Sequence, residues 1–282
     1  MSHSKQLKSE AFRQVVFRQA LKEMNALQNS VVASIFLLAL AFENASKGLI
    51  LSINIFAKSR TAIPATMIIV NLLSLGFGPM YIYSLLNLEN CQNVTLSAKI
   101  FLHLFDNGFS FFLLFKTWIV AQKHPMAGII ATLLFSNRCV WAVIDCMRSY
   151  GIQIPGGCFY VQEQLSVIGI STGGILVDLF STSTTIVAAF RFGNIDASTK
   201  VKQLFQVLIA DNVLRSLCVM AVNSFTLNYA MYGALRVIPG SPSILILIPP
   251  ITGYVYTVAM NFEFEWIAIR KGIVQDGLNN TK

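Results

Sequence analysis

Residues 31–56 read VVASIFLLALAFENASKGLILSINIF, an apolar run that contains one acidic and one basic residue. A helix needs ~20 mostly apolar residues to cross the hydrocarbon core of a bilayer, and this run is longer than that. The bilayer interior admits only helices or closed barrels, and barrel strands are short segments of alternating hydrophobicity. The run therefore predicts a transmembrane helix.

Comparable runs recur along the chain. Hydrophobic residues make up 55% of its 282 residues and charged residues 12%, whereas soluble domains carry about 25% charged residues. This composition excludes a soluble enzyme, a disordered chain and a disulfide miniprotein. We predict an all-α, polytopic membrane protein, a seven-transmembrane-helix bundle that has the lipid bilayer as its surroundings. The predicted spans are Val31–Phe56, Ala62–Leu86, Ser97–Ala121, Pro125–Met147, Leu165–Phe190, Leu204–Tyr232 and Ser243–Ile269.

Short basic segments flank the predicted bundle. Before the first span, Phe12, Val16, Ala20 and Leu27 recur at helical spacing with Lys and Arg mostly between them. This pattern predicts a short amphipathic helix at the membrane interface, and a frayed basic tail is the alternative. An apolar core and a cleavage site typical of a secretory signal peptide are missing there. The predicted organisation is a basic N-terminal segment at 1–30, the bundle at 31–269 and a short tail at 270–282.

The basic residues favour an N-terminus outside and a C-terminus in the cytoplasm. Nine of them follow odd-numbered spans or lie in the C-terminal tail, three lie in the opposite loops, and the side richer in Lys and Arg is cytoplasmic. The five positive charges before the first span oppose this orientation, but the sequon and the loop cysteines described below support it. The nine are Lys58, Arg60, Lys123, Arg191, Lys200, Lys202, Arg270, Lys271 and Lys282, and the three are Lys99, Arg148 and Arg236.

Two of the five cysteines, Cys91 and Cys158, fall in predicted loops on the same outer face. That face is oxidising outside the cell, so we predict a disulfide between the start of the third helix and the loop before the fifth. Two free loop thiols are the alternative. Asn93, in the sequence Asn-Val-Thr, is a glycosylation acceptor if the same loop is outside.

Ionisable and amide residues recur inside the predicted spans. An isolated charge near the bilayer centre costs about 2.5–3.5 kcal/mol, so we expect these residues to pair and to face a common interior. Acid four residues before base is the favourable order within a helix, as in the first and sixth spans. The network is either a set of polar contacts that fixes helix register, or a pocket, an ion path or a switch. Its predicted members are Glu43, Asn44, Lys47, Asn107, Asn137, Arg138, Asp178, Asp211, Asn212 and Arg215, with Asp106 beside them.

Asp106 is the predicted centre of a ligand site. It lies about a third of the way down the third predicted span, with His103 one turn above and Ser110 one turn below. A cationic group entering from outside could meet its carboxylate there. The chain has 3 His, too few for a zinc hydrolase, and lacks HExxH, Walker A and dinucleotide-binding motifs. We therefore expect no enzyme, no metal, no cofactor and no nucleic-acid partner.

The span count, the short loops and the placement of Cys91 and Cys158 resemble the general plan of G-protein-coupled receptors. The diagnostic receptor motifs are missing: the third span ends in WIVAQK rather than DRY, the sixth has no CWxP, and the seventh has PPITGY rather than NPxxY. The stretch 198–223 is more specific, through Thr199-Lys200, Leu208, Asp211, Arg215 and Val222-Asn223. It resembles the cytoplasmic loop and sixth helix of uncharacterised fungal seven-transmembrane, receptor-like membrane proteins.

These resemblances imply an orphan receptor-like protein, most readily of the plasma membrane. It would sense an extracellular ligand and signal to a cytoplasmic protein, a G protein or another. The alternative is a small ion, proton or solute transporter or channel that uses the buried carboxylates. A scaffold whose polar network is purely structural is a third interpretation.

Overall fold

In a computed structural model of the protein, the described backbone is mostly helical. The structure describes residues 2–87, 90–154, 157–193, 199–233 and 242–279, and within them the side chains at 25, 27–87, 90–153, 158, 160–188, 190, 213–232 and 246–264. A β-hairpin, β1 (Tyr150–Ile154) and β2 (Gly157–Val161), lies between the fourth and fifth helices, and a π-helical turn, Tyr229–Gly233, follows the sixth. The helices are α1 (Ser2–Ser59), α2 (Ala62–Leu86), α3 (Cys91–Val120), α4 (Pro125–Arg148), α5 (Gln164–Gly193), α6 (Thr199–Asn228) and α7 (Pro242–Asn279).

Five helices in the described part of the chain are long and apolar enough to cross a membrane. They are Leu27–Ser59 within α1, then α2, α3 and α4, and Gln164–Ala188 within α5. Large apolar side chains such as Phe36, Leu133 and Phe190 are exposed on the bundle surface, as expected for a surface that faces lipid. The protein is therefore a helical, membrane-embedded protein. α6 and α7 bring the helices to seven, and their role as spans remains a prediction.

The first helix is longer than the predicted span. α1 is continuous from Ser2 to Ser59, so it is about 87 Å long, whereas a hydrocarbon core is about 30 Å thick. The N-terminal segment at 1–30 is thus helical from Ser2, but it is not the separate short helix that the sequence predicted. Much of α1 before residue 27 must extend beyond the hydrocarbon core.

α3 is the central helix of the bundle. It packs against α2, α4, α5 and α7, and its phenylalanines form much of the apolar core. Phe105, Phe109 and Phe112 are almost fully buried, and the ring of Phe109 stacks on that of Tyr256 in α7 with centroids 4.5 Å apart. Polar groups on other faces of α3 therefore meet several helices at once.

The β-hairpin is an addition to the predicted all-α fold. Its antiparallel register places Tyr150 opposite Val161 and Gln153 opposite Cys158. These strands are rich in the aromatic and β-branched residues that favour strand pairing. The predicted disulfide is confirmed: Cys158 is bonded to Cys91 in the first turn of α3. The hairpin is thereby fixed over the end of the bundle where α3 begins and α4 ends.

A glycine on α5 allows α4 and α5 to pack closely. A Cβ atom at Gly169 would collide with the ring of Trp141, whereas a Cβ at Gly173, one turn later, would meet Asn137 at an ordinary 3.4 Å. Gly169→Ala should therefore lower the free energy of unfolding by about 1–3 kcal/mol through overpacking. Gly173→Ala is the matched control and should be neutral or slightly stabilising. Thermal unfolding in detergent would compare them, and equal effects would contradict this packing.

Candidate functional site

A buried carboxylate in the last turn of α4 holds two basic side chains of α3. Asp145 is 0% exposed, and its Oδ2 lies 3.0 Å from Lys99 Nζ and 2.8 Å from His103 Nε2. Lys99 and His103 are one turn apart on α3, so both reach the same carboxylate. Both are themselves buried. Lys99 was counted as a loop charge although it falls near the start of the predicted span Ser97–Ala121, and the count is wrong because its side chain is buried in α3.

Hydroxyl groups complete the surroundings of this carboxylate. Tyr160 donates to Asp145 Oδ2 at 2.9 Å, while Ser149 and Ser166 donate to Oδ1 at 2.9 and 2.5 Å. Lys99 Nζ also lies 4.1 Å from the centre of the Tyr160 ring, a cation–π contact. α3, α4, the hairpin and α5 therefore meet at one anion. We call this set the Asp145 cluster: Lys99, His103, Asp145, Ser149, Tyr160 and Ser166.

A small polar cavity adjoins the Asp145 cluster. Its volume is about 50 Å³, and His103, Asp106, Arg138, Asn223 and Tyr256 are among its lining residues. Pockets for drug-sized ligands measure about 300–1,000 Å³, whereas a single water takes up about 30 Å³ of liquid. In this conformation the cavity has room for an ion or a few water-sized groups.

Two polar atoms of the cavity lining have no hydrogen-bond partner among the residues that the structure describes. Asp106 Oδ2 lies 3.9 Å from Arg138 Nη2, but Asp106 Oδ1 is buried with no partner. On the opposite side, Tyr256 donates to Asn223 Oδ1 at 2.9 Å, while Asn223 Nδ2 has no partner. Leaving a buried polar group unsatisfied costs about 1–3 kcal/mol. One acceptor and one donor in the lining are thus available to a small polar ligand.

Two of the three predicted ligand-binding residues line this cavity. His103 and Asp106 do, although His103 is already held by Asp145. Ser110 does not, since its hydroxyl donates to the backbone carbonyl of Asp106 at 2.9 Å. The sequence did not single out Asp145 or Asn223 as site residues, and the spacing of Lys99, His103 and Asp106 along one face of α3 was the available signal for an acidic partner.

The predicted common interior is correct for only part of the polar network. Arg138, Asp178 and Arg215 are buried, and Asp178 Oδ2 accepts a 2.5 Å hydrogen bond from Ser216. Asn107 is half-buried, with an Oδ1 that has no partner. Asn44 accepts hydrogen bonds from Asn261 of α7 through its carbonyl and its side chain. The side chains of Asp211 and Asn212, and so the predicted Asp211–Arg215 pair, lie outside the described residues.

The prediction of an interior position is wrong for Glu43, Lys47 and Asn137, which are exposed. Neighbouring residues on a helix point about 100° apart, so Asn137 is turned away when Arg138 points inward. Glu43 and Lys47 do form the predicted pair, with Oε1 and Nζ 2.6 Å apart, but their side chains are 60% and 69% exposed on the outward face of α1.

A second buried ion pair lies at the far end of α3. Lys116 pairs with Glu263 of α7, and both side chains are buried. Next to it, Thr117 donates to Ser181 of α5 at 2.7 Å. α3 therefore makes charged contacts at three depths: to Asp145 at one end, to Arg138 in the middle and to Glu263 at the other end.

The predicted glycosylation site lies in the first turn of α3. Asn93 is exposed, but Thr95 of the sequon is buried, and its hydroxyl donates to the carbonyl of Cys91 at 2.7 Å. Glycosylation of Asn93 stays a prediction. The predicted orientation also stays a prediction.

The fold and the site define a helical membrane protein with a polar interior. The chain matches no known family model, and no curated protein is significantly similar to it in sequence. Within the described ranges, no group of three or more His, Cys, Asp and Glu side chains could hold a metal ion. The described contacts of the site are hydrogen bonds and ion pairs that join α3 to α4, α5, α7 and the hairpin.

Proposed function

We propose that the protein is a seven-transmembrane, receptor-like protein of the plasma membrane, with its N-terminus outside and its C-terminus in the cytoplasm. It senses a small extracellular ligand in the polar cavity and signals to a cytoplasmic protein, such as a G protein. The observation that carries this proposal is the row of charged contacts along α3, which runs from the cavity end to the opposite end. The receptor-like plan and the resemblance of residues 198–223 to fungal receptor-like proteins support it.

The cavity sets the chemistry of the ligand. Asp106 Oδ1 is a free acceptor and Asn223 Nδ2 a free donor among the described residues, so a small polar molecule or a protonated amine fits their chemistry. A cationic group at Asp106 competes with Arg138, whose Nη2 is 3.9 Å away. A movement of α3 against α4 then also displaces Lys116 relative to Glu263, because a helix transmits displacement along its axis.

Coupling along α3 can be measured with a fluorescent probe on the far end. In a variant in which Cys139, Cys146 and Cys218 are replaced by serine, an environment-sensitive dye is attached at Lys123→Cys, an exposed position beyond the end of α3. We expect Asp106→Asn to shift the emission of the dye. Arg148→Ala, which removes an exposed ion pair at the cavity end, should leave it unchanged. A folded Asp106→Asn protein with unchanged emission would contradict the receptor proposal.

A proton or cation pathway is the second candidate, favoured by the small cavity and the unpaired Asp106 Oδ1. Ionisable groups inside membrane proteins often form proton or ion paths. If this candidate is correct, liposomes that contain only this protein should show proton or cation flux, and Asp106→Asn should abolish it. Asp178→Asn is the matched control, since Asp178 is also buried and its Oδ1 also has no partner among the described residues, but Asp178 does not line the cavity. Absence of flux from the wild-type protein would exclude this candidate.

A further inference from the structure

The outward face of α1 carries charge in the middle of a membrane span. Val32, Phe36, Glu43, Lys47 and Ile50 recur at helical spacing and are all exposed. α1 packs on α2 and α7 through its other side. Glu43 and Lys47 lie midway along the apolar segment Leu27–Ser59, which is long enough to cross a membrane. This face therefore presents an ion pair at the depth where lipid is most apolar.

Contact with lipid acyl chains is energetically unfavourable for this face. A charged side chain at the bilayer centre costs about 2.5–3.5 kcal/mol on insertion scales, and such residues almost always face protein or water. The pair between Glu43 and Lys47 reduces this cost, but both side chains remain largely uncovered. Lipid headgroups do not reach this depth. A protein surface with charges of its own is the chemistry that would cover the face.

We propose that a second copy of this chain covers it, as a two-fold dimer in which the α1 helices pack side by side. Acid and base are four residues apart, so they are offset by about 6 Å along the helix axis. In a parallel, two-fold arrangement residues of the same number lie at the same depth, so each Glu43 would reach Lys47 of the partner diagonally across this offset, and each Lys47 would reach the partner's Glu43 in the same way. The face is thus self-complementary, as a two-fold interface requires. Phe36 and Ile50 flank the pair with apolar surface.

Cysteine crosslinking in native membranes tests this interface. In the variant in which the three free cysteines are serine, oxidation should give a covalent dimer with Ile50→Cys. Val143→Cys on α4 is the matched control, since Val143 is 58% exposed and Ile50 61%. No dimer with Ile50→Cys, an equal yield with Val143→Cys, or crosslinking of Ile50→Cys only to a different protein would overturn the proposal.

Charge exchange tests the pairing itself. In the Ile50→Cys background, Glu43→Lys alone and Lys47→Glu alone should each lower the dimer yield at least about tenfold, because all four charges at the interface then have the same sign. Coexpression of the two variants should restore a mixed dimer between them. Glu43→Gln is a milder variant that should also lower the dimer yield. It tests the pairing even if the charge-reversed variants fail to insert into the membrane. Unchanged yields in Glu43→Gln, or no mixed dimer from two inserted variants, would overturn the proposed pairing.

Discussion

Asp145→Asn should lower the free energy of unfolding by about 3–5 kcal/mol, the usual cost of removing one partner of a buried ion pair. The substitution leaves Lys99 buried at the end of the bundle with no anion to neutralise it. Arg148→Ala is the matched control, one turn further along the chain. Its pair with Glu163 has side chains that are 58% and 29% exposed, and exposed pairs contribute about 0–1 kcal/mol. Denaturant unfolding of both variants in detergent would measure the difference.

A second substitution shows whether Asp145→Asn is destabilised by the loss of the ion pair or by a general loss of packing. If the unpaired Lys99 ammonium causes the damage, Lys99→Met in the Asp145→Asn background should recover part of the stability, because it removes the buried charge. Equal losses in Asp145→Asn and Arg148→Ala would contradict the role given to the Asp145 cluster. A double variant less stable than Asp145→Asn would show that Lys99 contributes mainly through packing.

Charge reversal at the other end of α3 should have an effect of similar size. Lys116→Glu brings two carboxylates together in a buried site, and Glu263→Lys brings two ammonium groups together. Each should lower the free energy of unfolding by about 3–5 kcal/mol or more. The exchanged protein, Lys116→Glu with Glu263→Lys, should recover much of the loss because the pair is rebuilt in reverse.

The recovery is the decisive observation in this double-mutant cycle. A doubly substituted protein that is as unstable as the sum of the two single variants would mean that the two side chains do not interact. The Lys116–Glu263 pair would then not belong to the row of charged contacts along α3. The proposed coupling would have no contact at the end of α3 that is far from the cavity.

The features set by apolar run length and by loop position could be predicted from the sequence. The five long apolar helices follow from runs that exceed the bilayer thickness, although α1 and α3 start earlier than predicted. The disulfide between Cys91 and Cys158 was predicted because both cysteines fall between predicted spans on the same face of the bundle. Asp106, predicted as the centre of a ligand site from its depth in the third span, is buried and lines the polar cavity, while ligand binding there stays a prediction.

The partners of these groups could not be predicted, because they depend on helix boundaries and on rotation about the helix axis. Lys99 was assigned to a loop, and Asp145 lies close to the end of its helix, where a charge is ordinary. Glu43 and Lys47 were expected to point inward, but the rotation of α1 against α2 and α7 decides that, and spacing within one helix does not reveal it.

The β-hairpin could have been predicted from its sequence pattern. Residues 150–154 and 157–161 are two short runs rich in Tyr, Ile, Phe and Val, with Pro155-Gly156 between them in the sequence. That pattern is typical of a hairpin, but the segment was treated as a short loop because its neighbours are membrane spans. The hairpin matters to the site because it supplies Tyr160, which donates to Asp145.

The sidedness of the two ends of α4 tests the whole account most directly. In the variant in which the three free cysteines are serine, Ile152→Cys lies in the hairpin and Lys123→Cys lies before α4, and both positions are exposed. We expect a membrane-impermeant maleimide to label Ile152→Cys in intact cells, and to label Lys123→Cys only after permeabilisation. Labelling of Lys123→Cys alone in intact cells would invert the molecule and place the cavity end in the cytoplasm. Labelling of both from one side would mean that α4 does not span the membrane.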